Sequence, residues 1–464
     1  MILAEVNWSD LWEVFSLTNH NTRVVILSVA LLGMVSGLVG SFLLLRKRSL
    51  MGDALAHATL PGVGVAFAIM VTMGFSGKAI GGLWLGAIIA GVLGVATMLL
   101  IVRTTRLTDD VAMGLVLSIF FGAGIAILSC VTRLPQGSAA GLEDFIYGKP
   151  SSILGNDLII ILVTSITCGV LCIVLLKEFT LLCFDENFGR SQGWPMLLLD
   201  ILLLGLVTIV TVTGLQAVGI ILMIALFIIP AAAARFWATS LKVMMLLSAI
   251  LGLISGWIGG ALSALFYDLP AGAVIVLVAG VIFLFSMFLA PARGIIPRIY
   301  RRRQLNQKVG EQHLLRAIYE LLEDEAREDE DLAKEVKRVR NQPIPYPAVL
   351  AKRTWKREEL NHLRRTAKCR GYLESIDGDK FRLTEEGFGQ ASRITHSHRL
   401  WEIDLVTHAD IAPSHVDRDA DMIEHVLDAD LVNRLEEELK EQYEWIPSSL
   451  HKITNPPDEK GEQV

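Results

Sequence analysis

The dominant feature of this chain is a series of long apolar runs that fill residues 23–292, separated by short polar segments. A helix needs ~20 apolar residues to cross the hydrocarbon core of a bilayer, where every backbone polar group must be satisfied internally. One tract is interrupted at Gly214 and Gln216, so the runs predict eight or nine membrane helices. The runs are Val24–Leu45, Ala54–Met73, Ile80–Val102, Val111–Val131, Leu158–Leu176, Met196–Thr213, Leu215–Ala234, Val243–Phe266 and Gly272–Leu289.

Basic residues mark one side of these runs. With nine spans, the clusters at residues 46–48, 103–106, 177–190, 235–242 and 293–303 all fall on the same side. Because an excess of Lys and Arg favours the cytoplasm, we expect residues 1–22 outside and the chain after Arg293 inside. Residues 293–309 form a basic juxtamembrane linker suited to anionic lipid headgroups.

The runs are also rich in small residues, such as Gly33 with Gly37 and Gly86 with Ala90 and Gly94. Small residues let helices pack closely in lipid, where no hydrophobic force draws them together. The pattern therefore predicts a compact helical bundle rather than a set of separate anchors.

Two ionisable residues, Asp53 and His57, open the second apolar run. Residues four apart share one face of a helix, so the carboxylate and the imidazole point the same way. Ionisable groups that enter a bilayer commonly mark an ion path, and an oxygen with a nitrogen ligand suits a divalent transition metal. A pair satisfied by neighbouring helices at the membrane surface fits the spacing equally well. Asp200 has two similar interpretations, a place in the pathway or a hydrogen bond at the interface.

Two prolines, Pro61 and Pro230, fall inside apolar runs. Broken helices at membrane depth line cavities and often frame transport sites. We expect such a break at Pro61, which adjoins Asp53 and His57, and an ordinary proline kink at Pro230.

The polar segment at residues 179–195 contains an amphipathic stretch, Phe184–Arg190. It lies on the basic side of the spans, which places it in the cytoplasm. A short surface helix there would dock a soluble partner, and a connecting loop explains the same residues.

Two sequence tracts carry a family resemblance. Residues 49–67 read SLMGDALAHATLPGVGVAF, and residues 215–235 contain LQAVGIIL and IIPAAAAR. Over about residues 20–295 the chain resembles the membrane permease subunits of bacterial zinc and manganese ABC importers. The resemblance implies a place in the bacterial inner membrane, a metal path to which Asp53 and His57 contribute, and a second permease chain, identical or paralogous, around the same path.

The resemblance also implies that residues 184–193 contact a cytoplasmic ATPase subunit. The expected contact residues are Phe184, Asp185, Glu186, Phe188 and Gly189. The sequence has no G-x-x-x-x-G-K-[ST] phosphate loop, so we expect no bound nucleotide and no enzyme activity in this chain. ATP hydrolysis then belongs to the separate ATPase, and an extracytoplasmic metal-binding protein delivers the metal.

Residues 310–390 are charged and carry alternating helix and turn signals. His313–Glu323 has an apolar helical face, Thr354–Arg370 is a basic helical stretch, and residues 371–384 form a hairpin pattern with an Asp-Gly turn. This order predicts a winged helix-turn-helix, whose basic helix enters a DNA groove. The candidate DNA contacts are Lys356, Arg357, Arg364 and Arg365. A solvated basic helix in a protein-interaction module is the alternative.

Two groups of metal-ligating residue types follow in residues 391–445, ahead of a tail at residues 446–464. His398 and Glu402 are four apart, and Asp421, Glu424 and His425 share one helical face. Oxygen and nitrogen ligands without thiolate favour Mn²⁺ or Fe²⁺, with Zn²⁺ as the alternative. A charged, solvated helix surface would carry the same residues.

Residues 310–440 resemble the iron- and manganese-dependent transcriptional regulators of the diphtheria-toxin-repressor type. The pieces that carry the resemblance are HLLRAIYE at 313–320, LTEEG at 383–387, HRLWE at 398–402 and IEH at 423–425. The resemblance implies a helical metal-binding and dimerisation domain after the winged helix. The implied ligand set is His313, His398, Glu402, Asp421, Glu424 and His425.

We therefore expect an all-α polytopic membrane bundle followed by a soluble winged-helix and helical metal-sensing domain. The predicted function is the permease subunit of an ATP-driven importer of manganese, zinc or iron, with a metal-responsive cytoplasmic domain. The alternative is a membrane-tethered, metal-dependent DNA-binding regulator, against which the glycine-rich spans and the Asp53/His57 motif argue. A proton-coupled carrier would require further intramembrane acids, which the runs lack.

Overall fold

A computed structural model of the protein describes residues 19–73, 80–131, 153, 155–265, 270–325, 342–353, 355–377 and 379–408. The chain divides into two compact units, Met1–Arg298 and Ile299–Val464. The described part of the first unit is helical, and that of the second adds one small sheet to its helices.

Nine of the described helices in the first unit are long and apolar enough to cross a membrane, which confirms the larger of the two expected numbers. They are α1–α5 and α8–α11, and two short helices, α6 and α7, connect the two sets. The bounds are α1 His20–Leu45, α2 Met51–Thr72, α3 Ile80–Thr104, α4 Asp109–Val131, α5 Gly155–Val174, α6 Leu176–Phe184, α7 Glu186–Ser191, α8 Met196–Val218, α9 Ile220–Trp237, α10 Leu241–Leu265 and α11 Ala271–Leu289.

The tract from Met196 to Ala234 is two helices that meet at Gly219. Gly219 has a φ of 80°, a region that glycine enters without steric cost. Its N–H closes α8 by donating to the Leu215 carbonyl, and its own carbonyl accepts the first bond of α9 from Met223. The side chain of Met223 then lies against Gly214. The break therefore lies at Gly219, and the expected interruption at Gly214 and Gln216 falls inside α8.

Helices α1 and α10 pack together through small residues. A Cβ atom added to Gly33 would lie 2.2 Å from the carbonyl oxygen of Gly252, and one added to Gly37 would lie 2.4 Å from that of Ser248. The Ser248 hydroxyl donates to the Gly37 carbonyl at 2.6 Å. This close approach is the packing that the small-residue pattern predicted.

The second unit contains a three-stranded antiparallel sheet with the strand order β1-β3-β2. Its elements, together with the helix that leads into it, are α12 Ile295–Glu325, β1 Ile344–Pro345, α13 Tyr346–Lys352, α14 Arg357–Cys369, β2 Leu373–Asp377, β3 Lys380–Leu383 and α15 Glu385–His408. Leu314, Ile318 and Leu322 on α12 pack with Leu360 and Leu363 on α14 in one buried core. The basic helix and the hairpin lie where the sequence predicted them, and β1 is an additional strand.

Candidate functional site

Asp53 and His57 lie in the first two turns of α2. The His57 Nε2 atom is 3.2 Å from Asp53 Oδ1, a contact that their helical spacing allows. The imidazole packs edge-on against the Phe121 ring, with centroids 4.7 Å apart. The other ring nitrogen, Nδ1, is buried and has no hydrogen-bond partner among the described residues. A buried imidazole nitrogen without a hydrogen-bond partner suits a cation, yet no group of three metal-ligating side chains occurs in the described ranges.

Neighbouring helices hold α2 tightly around this pair. A Cβ atom at Gly62 would lie 2.0 Å from the Gly86 carbonyl oxygen on α3, and one at Gly124 on α4 would lie 3.2 Å from Pro61 Cδ. Helix α2 continues through Pro61 to Thr72, so the expected break at Pro61 is wrong. Interhelical packing here supports the helix on both sides of the proline. Helix α9 likewise continues through Pro230.

Asp200, near the start of α8, is paired with two arginines from the turn between α1 and α2. Arg48 Nη1 donates to both carboxylate oxygens of Asp200, at 2.8 and 3.0 Å, and Arg46 Nη2 donates to Oδ1 at 3.1 Å. Arg48 Nε also donates to Asp109 at the start of α4. Burial disfavours the charged form of Arg48, but the two carboxylates outweigh it and raise its pKa. Of the two interpretations of Asp200, the structure supports hydrogen bonding between helices.

The amphipathic stretch forms α6 and α7, joined at Asp185. The Asp185 carboxylate caps α7 by accepting from the Phe188 N–H at 2.9 Å. Gly189 is buried, and a Cβ atom there would lie 1.9 Å from Met196 Cε. Phe184 and Phe188 are 66% and 53% exposed. The two phenylalanines therefore present an apolar surface, while the Asp185 cap and the close packing at Gly189 hold the shape of the segment.

Glu186, the first residue of α7, points toward the turn between α1 and α2. Its carboxylate accepts a hydrogen bond from Arg46 Nη1 at 2.9 Å and another from Arg190 on its own helix. Burial alone would raise the pKa of Glu186, but the two guanidinium groups outweigh it and lower the pKa. Glu186 is therefore a charged link between the segment and the spans.

Three of the four basic residues proposed to contact DNA reach solvent on α14 or beside it. Lys356, Arg357 and Arg365 are exposed. Arg364 is half-buried, and its guanidinium lies 5.7 Å from the centroid of the Tyr346 ring, a cation–π distance. Two acids, Glu358 and Glu359, are exposed in the first turn of the same helix, where they would repel a phosphate backbone.

Two of the expected metal ligands in the second unit are bonded to arginines. Arg316 Nη1 donates to His398 Nδ1 at 2.7 Å, and Arg353 Nη1 donates to His313 Nδ1 at 3.0 Å. A guanidinium only donates, so each Nδ1 acts as the acceptor. A histidine that binds metal through one nitrogen normally donates a hydrogen bond from the other. Metal capture through Nε2 would therefore require each arginine to move away.

The other expected ligands fall outside the described part of the chain. Glu402 belongs to α15, but its side chain is not among those described. Asp421, Glu424 and His425 lie beyond residue 408, as does the tail at residues 446–464. Their role in metal binding stays a prediction.

The membrane unit matches a known family. The family model described as the ABC 3 transport family matches residues 19–290, an interval that contains all nine candidate spans of the described chain. The chain belongs to the ABC 3 transport family. Within this ABC 3 protein, the Asp53/His57 pair, the α6–α7 segment and the two arginines of the α1–α2 turn all lie inside the matched region.

Named relatives of this ABC 3 protein extend the comparison. The manganese transport system membrane protein MntC of Bacillus subtilis is 36% identical over 413 residues, which cover 89% of this chain and 90% of MntC. The zinc transport system membrane protein TroC of Treponema pallidum is 41% identical over 289 residues, covering 62% of this chain and 95% of TroC. Among solved structures, PsaBC from Streptococcus pneumoniae in complex with Fab gives a TM-score of 0.53 at 31% identity, covering 62% of this chain and 96% of that chain.

A second family model matches the C-terminal part of this ABC 3 protein. It describes the metal binding and dimerisation domain of the iron dependent repressor, and it covers residues 384–443. The Bacillus subtilis alignment of 413 residues is longer than the first unit, which ends at Arg298, so it extends into the second unit.

The sequence interpretation missed the roles of Arg46 and Arg48. The sequence indicated only a basic cluster that orients the spans, yet both arginines are bonded to carboxylates and shielded from solvent, with side chains 10% and 6% exposed. Their partners are 61 to 154 residues away in sequence. A signal did exist, because Asp200 and Asp109 each open an apolar run on the same side as these arginines.

Proposed function

We propose that this protein is the permease subunit of an ATP-driven importer of a divalent metal, and that Asp53 and His57 contact the metal during passage. The observation that carries the proposal is their geometry, a carboxylate 3.2 Å from an imidazole whose second nitrogen is buried and unpartnered among the described residues. The pair lies within the ABC 3 match, and relatives of this chain are named manganese and zinc transport membrane proteins. Mn²⁺ is the substrate we favour, with Zn²⁺ and Fe²⁺ as alternatives.

Two ligands are too few for a metal site, since manganese and zinc take at least four. A second permease chain, identical or paralogous, would bring its own carboxylate and imidazole to a shared path. Weak, incomplete coordination also suits transport, because the ion must leave each site it enters.

The segment α6–α7 is the proposed docking surface for a cytoplasmic ATPase subunit. Phe184 and Phe188 supply an exposed apolar surface, whereas Asp185, Glu186 and Gly189 act by holding its shape. The segment lies on the side that carries Arg46 and Arg48, which the distribution of basic residues assigns to the cytoplasm. An extracytoplasmic metal-binding protein would deliver the ion from the opposite side of the inner membrane.

The proposal is tested by reconstituting the native chain with its ATPase subunit in liposomes. Accumulation of radiolabelled Mn²⁺ or Zn²⁺ that depends on ATP and on the metal-binding protein is the expected result. A membrane-tethered regulator would move no metal, so accumulation that is absent, or equal with and without ATP, would contradict the proposal.

We also propose that residues 310–445 sense cytoplasmic metal and slow import when metal is plentiful. The match of residues 384–443 to a metal-binding domain within the same chain as the permease favours this role. Such feedback requires the metal to bind one state more tightly, typically by ~1–3 kcal/mol. The rate of metal uptake, measured at increasing internal metal concentration, should fall for the intact chain and stay unchanged for a chain truncated after Arg303. Identical curves would reject the feedback.

DNA binding by α14 is the second candidate role for this unit. The exposed cations Lys356, Arg357 and Arg365 favour it, and the exposed Glu358 and Glu359 oppose it. Retention of the full chain on duplex DNA, with a steep loss of affinity at higher salt, would support it.

A further inference from the structure

A cluster of six charged side chains joins the ends of several helices on one side of the membrane unit. Three guanidinium groups, on Arg46, Arg48 and Arg190, are bonded to three carboxylates. The carboxylates belong to Asp109, Glu186 and Asp200. The side chains of Arg46, Arg48 and Asp200 are shielded from solvent, and the pairing of their charges offsets the cost of withdrawing them from water. The six side chains therefore form one connected network of ion pairs.

Arg46 attaches the α6–α7 segment to this cluster at two points. Its Nη1 atom donates to the Leu182 carbonyl near the end of α6 and to Glu186 at the start of α7, each at 2.9 Å. These two bonds tie the Arg46 side chain to both α6 and α7. The same guanidinium reaches Asp200 through Nη2 at 3.1 Å.

Arg48 extends the cluster to two of the spanning helices. It bonds both oxygens of Asp200 on α8 and one oxygen of Asp109 at the start of α4. Its side chain is 6% exposed, so solvent screens these contacts little. Asp200 is bonded to both Arg46 and Arg48, so it connects the α6–α7 segment to α4 and α8 through these two arginines.

The turn that carries both arginines is short and is closed by two backbone hydrogen bonds. The N–H groups of Lys47 and Arg48 donate to the Leu44 and Leu43 carbonyls, the pattern that ends a helix with a left-handed residue. Lys47 occupies that left-handed position with a φ of 58°, which is unusual for a side chain other than glycine. Helix α2 begins at Met51, and Asp53 lies in its first turn.

We propose that this cluster carries the movement of the α6–α7 segment, as the ATPase closes and opens, to the start of α2 and so to Asp53 and His57. Arg46, Arg48, Glu186, Asp200 and Asp109 are positioning residues in this scheme, because they act through the start of α2 and not as ligands of the metal. The inference rests on the proposed function, since it assigns a coupling route within the same importer. It differs from a purely structural role in one measurable quantity, the number of metal ions moved for each ATP hydrolysed.

The test uses the complex of permease and ATPase in liposomes, supplied with the metal-binding protein. Glu186→Ala removes the ion pair between Arg46 and α7. Asp109→Ala removes the ion pair between Arg48 and α4, at a residue that lies outside the α6–α7 segment. Both side chains are about a third exposed, at 33% and 36%, so neither change leaves a deep cavity. Both variants should lower the number of Mn²⁺ ions moved per ATP by about fivefold or more, the lower end of typical coupling between sites.

Two neighbouring charges serve as matched controls. Lys47 and Asp110 are exposed, lie beside Arg46 and Asp109, and are not part of the cluster. Lys47→Asn and Asp110→Ala should keep the native ratio. A variant that only weakens assembly loses ATP hydrolysis and uptake together and leaves their ratio unchanged.

The outcomes separate the inference from the function on which it rests. If either Glu186→Ala or Asp109→Ala moves metal at the native ratio, the coupling route is wrong and the importer stands. If an alanine variant fails to assemble, the isosteric variants Glu186→Gln and Asp109→Asn replace it. They must then lower the number of Mn²⁺ ions moved per ATP in the same way. Native complexes that move no metal would instead contradict the proposed function.

Discussion

The guanidinium of Arg48 holds both carboxylate oxygens of Asp200, at 2.8 and 3.0 Å, although the two residues are 152 positions apart in sequence. Both side chains are buried, at 6% and 8% exposure. The pair fixes the turn after α1 against the start of α8, and removal of one partner would leave a buried charge without compensation.

Asp200→Asn is therefore expected to destabilise the protein by about 3–5 kcal/mol, the range for breaking a buried ion pair. Thermal unfolding of the full chain in detergent measures this loss as a lower transition temperature. Asp110→Asn removes the same charge from an exposed position and should leave the transition unchanged. Equal transitions for the two variants would show that the buried pair does not stabilise the fold.

Close packing between α1 and α10 gives a second expectation. A Cβ atom at Gly252 would lie 2.0 Å from the Gly33 carbonyl oxygen, so Gly252→Ala must push the helices apart. Overpacking of this kind costs about 1–3 kcal/mol. A Cβ atom at Gly205 on α8 would meet nothing within 4 Å among the described residues, so Gly205→Ala should be tolerated. The unfolding temperature in detergent and the monodisperse fraction distinguish the two alanines, and equal values would contradict the packing.

Glu311 on α12 makes the second unit sensitive to pH. Burial raises the pKa of Glu311, and the nearby Arg370 guanidinium lowers it only in part. One carboxylate oxygen bonds Arg370 at 2.6 Å, while the other is buried without a partner among the described residues. Since the folded-state pKa is raised, the stability from protonated Glu311 is complete below the unfolded-state pKa and is lost as pH rises through the folded-state value.

Glu311→Gln should therefore stabilise the second unit at neutral pH and have little effect at about pH 4, near the ordinary pKa of glutamate. Hydrogen exchange of α12 amides in the full chain, corrected for the intrinsic pH dependence, measures this. Glu374→Gln, which removes an exposed glutamate paired with Arg382 at 2.8 Å, is the matched control. Faster exchange in Glu311→Gln at neutral pH would reverse the sign and reject the argument.

Local pattern was sufficient for the spans. A continuous apolar run of ~20 residues favours a helix in lipid, so the sequence predicted eight or nine spans, and the described chain has nine candidates. The junction at Gly219 was not predicted, because a glycine with positive φ looks the same in sequence as the helical Gly214. The strand Ile344–Pro345 was also missed, since two residues become a strand only by pairing with β3, about 36 positions later.

The residues of the candidate site also differ in whether local sequence pattern could identify them. Asp53 and His57 were found because helical spacing alone brings them together. Arg46 and Arg48 were missed because their partners lie on other helices, and only the packed bundle brings those charges within bonding distance. Sequence likewise gave no sign that arginines bond the histidines at 313 and 398, since those contacts join separate elements of the second unit.

ATP-driven uptake of radiolabelled Mn²⁺ by Asp53→Asn and His57→Gln complexes tests the metal path most directly. Each variant should fall to the level seen without ATP, because one ligand of the pair is lost, while still co-purifying with the ATPase and unfolding at the native temperature. His20→Gln, at the exposed start of α1, should transport as the native protein does. Native uptake rates in both Asp53→Asn and His57→Gln would contradict a metal path through this pair.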